Sequence, residues 1–143
     1  MADAIANLGL DTLAFGQCRL EYTSATVLTL MPENGNLLKI AGLLHEIPSA
    51  GAPLSNAGIG NNVTRNVFAY DNAGTVTLEA SSTATAIDTA AGNVGVIIKD
   101  GDNSRTFVGW VVTNGSGEFT ALNVHTHFNA TKPPTMILSE RQA

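Results

Sequence analysis

Charge is scarce in this sequence. Asp, Glu, Lys and Arg make up 13% of its 143 residues, about half the usual share of roughly 25%. The balance is acidic: 12 Asp plus Glu against 7 Lys plus Arg give a formal net charge of −5. An electrostatic binder of nucleic acid needs a basic face, so that class is excluded as a partner. Glu, Lys and Leu are too sparse for a coiled coil. A disordered chain would combine high charge with low hydrophobicity, whereas 44% of this one is hydrophobic. No apolar run approaches the ~20 residues of a membrane-spanning helix, so no membrane is expected as a partner. The single Cys18 cannot form an intramolecular disulfide. No basic residue precedes Arg19, so the n-region of a secretory signal is missing. The expectation is a chain folded in a reducing cytoplasm.

Gly, Ala, Thr, Ser and Asn take the place of charge, and Val, Ile, Thr, Phe and Tyr gather in short runs between turn signals. That pattern predicts strands. Arg19 to Thr23, Thr26 to Leu30, Asn36 to Ile40 and Leu43 to Ile47 read as the first four. Pro32-Glu33-Asn34-Gly35 reads as a turn, since Asn-Gly readily supplies positive φ. Residues 48–62 are small and polar with two prolines, and read as a long surface loop. Asn66 to Tyr70 and Thr75 to Glu79 read as a hairpin around Asp71-Asn72-Ala73-Gly74. Its Val76 and Leu78 share one face. Residues 84–91 are ambiguous between one helical turn and a loose connection. Val94 to Lys99 and Ser104 to Thr113 are further strands. Strict alternation on the latter puts Phe107, Gly109 and Val111 on one face and Val108, Trp110 and Val112 on the other. Two apolar faces suit a central or interfacial strand. A short strand is expected within 119–124, and the tail beyond Lys132-Pro133-Pro134 reads as extended.

The fold expected is all-β: a single-domain antiparallel sandwich of jelly-roll type over 18–143, with an N-terminal arm over 1–17. The arm carries Leu8, Leu10, Leu13 and Phe15, with Asp3 and Asp11 as its only charges. It is too short to fold alone and too apolar to favour water. It packs either on its own domain or on a neighbouring subunit.

Catalytic patterns are missing. The chain has no Gly-x-Ser-x-Gly elbow, no phosphate-binding Gly-x-x-x-x-Gly-Lys and no His-Glu-x-x-His. Gly58-Ile59-Gly60 lacks the third glycine of a dinucleotide loop. Cys18 beside Arg19 reads either as a mildly activated thiol or as a small buried residue. Trp110, Tyr22 and Tyr70 read either as a sugar platform or as core and interface aromatics. His125 and His127 lie two residues apart and would share a face of a strand. Two ligands do not close a metal site, although three copies around an axis would bring six nitrogens together. No catalytic residue, cofactor or metal is assigned, and no enzymatic activity is expected. An oxygenase of cupin type would need a fuller His and carboxylate set.

The order of segments carries a resemblance. Cys18-Arg19-Leu20 opens a strand, and Pro32-Glu33-Asn34-Gly35-Asn36 precedes an apolar one. Then come Val67-Phe68-Ala69-Tyr70-Asp71-Asn72-Ala73-Gly74-Thr75-Val76-Thr77-Leu78-Glu79, Asp100-Gly101, Ser104 to Gly109, and a closing segment near Phe128-Asn129. Residues 18–129 thus resemble a family of small β-rich virion proteins of tailed bacteriophages, of decoration and fibre type. The resemblance implies a virion structural protein. The first expectation is a capsid decoration or cement protein, homotrimeric and bound to major capsid protein. Its arm residues Leu8, Leu10, Leu13 and Phe15, with Phe107 and Trp110, would make the assembly contacts. The alternative is a tail, baseplate or fibre component whose loop 48–62 meets a host glycan receptor.

Overall fold

The computed structural model describes residues 16–127, and these form an all-β, antiparallel fold of eleven strands with one short 3-10 turn. Leu8, Leu10, Leu13 and Phe15 lie outside the described residues.

Strands β1 (Cys18–Ser24) and β2 (Val27–Pro32) form a hairpin. A third strand, β5 (Ala52–Ser55), adds to the free edge of β2. It lies inside the segment expected to be a loop. Its Pro53 stands opposite Thr29. Proline lacks the ladder N–H and is tolerated there because β5 is an edge strand. The rest of 48–62 is also tied down: Asn56 donates its side-chain amide to the Gly117 carbonyl at 2.9 Å, and the Asn62 N–H reaches the Asn114 carbonyl at 2.9 Å.

The Asn34-Gly35 turn does not close a hairpin. With φ of 58° and 127° it hands the chain from β2 to a separate ribbon of β3 (Leu37–Ile40) and β4 (Leu43–Glu46). That ribbon turns at Ala41-Gly42, both residues at positive φ, the signature of a two-residue hairpin turn. Gly16 and Gln17, counted with the arm from sequence, belong to this folded unit. Gly16 bridges Leu38, and the Gln17 N–H reaches the Leu37 carbonyl at 2.7 Å.

The larger sheet runs β7 (Thr75–Ser81), β6 (Thr64–Asn72), β10 (Asp102–Val112), β9 (Ile97–Lys99) and β8 (Thr85–Ile87), with β11 (Val124–Thr126) also on β10. The expected β6–β7 hairpin is present. Asp71 Oδ1 accepts the Gly74 N–H at 2.8 Å, and Ala73 and Gly74 take positive φ. The ambiguous 84–91 segment holds strand β8, not a helical turn. Val94 and Gly95 form a turn ahead of β9. The strand expected in 119–124 is instead the 3-10 turn Ala121–Asn123 leading into β11.

The core lies between the two larger sheets. Cys18, Leu20, Leu28, Leu30 and Ala52 from one meet Val67, Ala69, Val76, Leu78, Val108 and Val111 from the other. Leu38 and Ile40 of β3 join them, and Ile47, Ile59 and Phe119 close the cluster from connecting segments. Burying each large side chain contributes about 1.5–3 kcal/mol.

Val108 and Val111 share this core although alternation placed them on opposite faces. A bulge causes the difference. Phe107 stands opposite Phe68 and Gly109 opposite Val67, so Val108 is an extra residue on β10. An extra residue shifts the side-chain parity by one. Phe107 and Trp110 therefore share the outer face, on which sit Phe68 and, across β11, His125.

Gly109 is required at this bulge because β11 and β1 crowd it. A Cβ there would overlap the His125 carbonyl oxygen and the Leu20 side chain. Gly109→Ala is expected to destabilise the fold by about 2 kcal/mol or more, read as a lower urea midpoint. An unchanged midpoint would contradict this packing.

Candidate assembly surface

The outer face of the large sheet does not offer the aromatics that sequence suggested. Phe107 is only 6% exposed. Its ring lies 5.7 Å from Phe68 and 4.7 Å from His127. The expectation that it makes assembly contacts is therefore corrected: its register on β6 lays it against Phe68, and the chain buries it. Trp110 is half-buried and stacks on His125, with centroids 4.8 Å apart and planes at 19°. The two imidazoles do share a face, as their spacing predicted, but each lies against a ring. Burial holds the His127 pKa below the ordinary histidine value. Among the described residues no three His, Cys, Asp or Glu side chains are placed to hold a metal ion.

The sugar platform is not assembled either. Tyr22 lies on β1 in the smaller sheet, while Tyr70 and Trp110 lie on the larger one. Tyr70 is covered by the Arg105 guanidinium, 3.9 Å above its ring. Cys18 is fully buried, and its thiol is pushed up to about 12 by burial and then by the charge of Glu33. It is an inert core residue, not an activated thiol.

Beside Tyr70 sits a compact ion network. Glu79 of β7 accepts from Lys99 of β9 and, at 2.6 Å, from Arg105 of β10. It thereby ties three strands together. Partial burial draws the Glu79 pKa up, but the hydrogen bonds from Lys99 and Arg105 prevail and hold it below the ordinary carboxylate value.

The exposed apolar groups lie elsewhere. Leu43 is 66% exposed, Leu44 45%, Ile87 65% and Val94 65%, with Leu122 at 86% and Tyr22 at 38% on other segments. Side-chain hydrogen bonds link the segments that carry Leu43, Ile87 and Val94. The Gly42 N–H donates to Asn93 Oδ1 at 3.1 Å, and the Asn93 amide donates to Asp88 Oδ2 at 2.6 Å. Leu43 follows Gly42, Val94 follows Asn93, and Ile87 precedes Asp88. Three separate segments are thus joined through one buried polar link, and each carries an exposed apolar residue beside it. Asn93 is 1% exposed and Asp88 7%. Hydrogen bonds from Asn93 and the Ala90 N–H hold the Asp88 pKa below its ordinary value. Within β4, Leu43 and Leu44 point to opposite faces and neither is buried, and no other described strand pairs with its outer edge. An apolar strand with an open edge invites another chain. Leu43 and Leu44 were read from sequence only as part of a strand. Their exposure depends on what packs against β4, which local sequence does not carry.

No family model, no curated protein and no solved structure matches this chain.

The Glu79 network makes stability depend on pH. A carboxylate whose folded pKa is depressed stabilises the fold above its unfolded pKa of about 4.3, and that stability is lost as pH falls through the folded pKa. Glu79→Gln is expected to cost roughly 1–2 kcal/mol at pH 7, and the gap to wild type should narrow by pH 3. Urea unfolding at both pH values checks this, and a gap that stays constant would contradict it.

Proposed function

We propose that this protein is a structural subunit of a bacteriophage virion, acting as a capsid decoration protein. In this reading it is a homotrimer on the head surface, bound to major capsid protein, and it stabilises the shell without catalysing a reaction. The observation that carries the reading is the set of exposed apolar side chains, Leu43, Leu44, Ile87 and Val94, on a charge-poor all-β domain whose β4 edge is open. Interface centres are depleted of charge and rich in apolar area. The hairpin of residues 67–79, on which the resemblance to phage virion proteins rests, supports the same reading. The N-terminal arm supplies a second attachment element: fifteen extended residues reach about 50 Å. Against the tail-fibre alternative, loop 48–62 is held by β5 and by the Asn56 and Asn62 contacts. It is poorly suited to be an adaptable receptor loop.

Quantitative mass spectrometry of purified particles is expected to find hundreds of copies per virion. A count of a few dozen or fewer would move the protein to the tail. Leu43→Asp with Val94→Asp is expected to leave the domain folded, because both side chains are exposed, and to abolish attachment to particles. Attachment of the double variant at wild-type level would reject these side chains as part of the binding surface.

A further inference from the structure

The turn between β2 and β3 sets up a reaction through the residues it requires. Asn34 and Gly35 both take positive φ, at 58° and 127°. Asparagine enters the left-handed region more readily than most residues that carry a side chain. Position 35 calls for glycine, because a Cβ there would overlap the side-chain amide of Gln17. The two demands together set an asparagine directly before a glycine. We propose that the fold leaves Asn34 open to attack on its side-chain amide by the Gly35 nitrogen, so that it converts itself to aspartate and isoaspartate, while the second such pair, Asn114-Gly115, is protected. The inference goes beyond the virion reading and does not depend on it.

The conversion takes two steps. First the Gly35 nitrogen bonds to Asn34 Cγ, and the Cγ–Nδ2 bond breaks. The proton displaced from the Gly35 nitrogen leaves with Nδ2 as ammonia, and a five-membered imide remains. Water then opens the imide. Cleavage at Cγ restores the ordinary backbone with an aspartate side chain. Cleavage at the backbone carbonyl leaves the chain running through Cγ, as isoaspartate. Water is the only co-reactant, and nothing is oxidised or reduced. Glycine favours the attack because it places no side chain beside its nitrogen.

The structure treats the two Asn-Gly pairs of the sequence differently. Asn114 is fixed at both ends of its amide. Its Oδ1 accepts the Ser116 and Glu118 N–H groups, each at 2.9 Å, and its Nδ2 donates to Glu118 Oε2 at 3.2 Å. Ring closure makes Cγ tetrahedral and swings its oxygen and nitrogen out of the amide plane, which works against all three bonds. Asn34, Gly35 and Asn36 are exposed, and the Asn34 amide makes no hydrogen bond among the described residues. The turn is held outside the reactive pair. The Glu33 N–H reaches the Gln17 carbonyl at 2.8 Å, and the Leu37 N–H reaches Gln17 Oε1 at 3.0 Å. The chain on either side is therefore anchored while the exposed amide can turn towards the Gly35 nitrogen.

Ageing of the full-length protein tests the proposal. It is incubated at mildly alkaline pH, where the Gly35 nitrogen gives up its proton more readily, and sampled over weeks by tandem mass spectrometry of its peptides. Residue 34 is expected to show the mass change of NH2 replaced by OH at least about tenfold faster than residue 114, a barrier difference of ~1.4 kcal/mol. A smaller ratio, or no conversion at residue 34, would overturn the proposal. A more acidic species is expected to grow on anion exchange in step with this change. It should be missing in Asn34→Gln, whose longer side chain closes its ring slowly, and its growth at the wild-type rate in that variant would overturn the proposal. Incubation in guanidinium chloride separates fold from sequence. The Asn114 hydrogen bonds are then lost, and the two rates are expected to converge to within a few-fold. A residue 114 that stays as slow as in the folded protein would overturn the assignment of its protection to the fold. No readout involves particles, so failure here is distinct from failure of the virion reading.

Discussion

The arrangement of this fold depends on one extra residue in its longest strand. Val108 is inserted opposite the Val67–Phe68 step of β6, and every side chain after it changes face. Val108 and Val111 can then both enter the core, while Phe107 and Trp110 both turn outward to meet His127 and His125. The same insertion places Gly109 where β11 comes closest, with room for a hydrogen and none for a methyl group. Without the bulge, the smaller sheet would face Trp110 beside Val108, and Val111 would turn outward. The aromatic pairs that clamp β11 to the outer face would be split between the two sides.

Buried polar groups do the remaining positioning. The Thr106 hydroxyl donates to the Lys39 carbonyl at 2.6 Å and fixes the β3–β4 ribbon on the large sheet. Thr113 accepts the Val63 N–H at 3.2 Å and donates to the Gly60 carbonyl at 2.7 Å, which closes the opposite connection. Asn93 joins the ribbon's turn to the 88–96 segment through Gly42 and Asp88. A buried group of this kind is costly to leave unpaired, so each specifies one arrangement of the segments it links. The last of these links joins the segments that carry the exposed Leu43, Ile87 and Val94.

The parts legible in sequence were those with local causes. Asp71-Asn72-Ala73-Gly74 marked the β6–β7 hairpin because its side chains bond their own backbone, and Val76 and Leu78 alternated cleanly. The all-β antiparallel class followed from the strand-forming runs. Other features had no local cause to read. Strand β5 was hidden by Pro53 and by small residues, and only pairing with β2 makes it a strand. Strand β8, of Thr, Ala and Ile, is likewise made by its partner β9. The Ala41-Gly42 turn uses an alanine at φ 52°, a conformation alanine does not advertise. The bulge did leave a signal: a glycine inside an apolar strand marks a bulge or a close approach, and Gly109 is both. The exposure of Leu43, Ile87 and Val94 was not legible at all, since exposure is decided by what the rest of the chain fails to cover.

The central claim is the change of face at Val108, and nuclear Overhauser contacts in the labelled protein test it most directly. Contacts from the Gly109 α-protons to the Leu20 methyls are expected. Also expected are contacts from the Phe107 ring to His127 and from the Trp110 ring to His125. Contacts from the Trp110 ring to the Leu20 or Leu28 methyls would contradict the claim, because they would mean that β10 alternates without interruption.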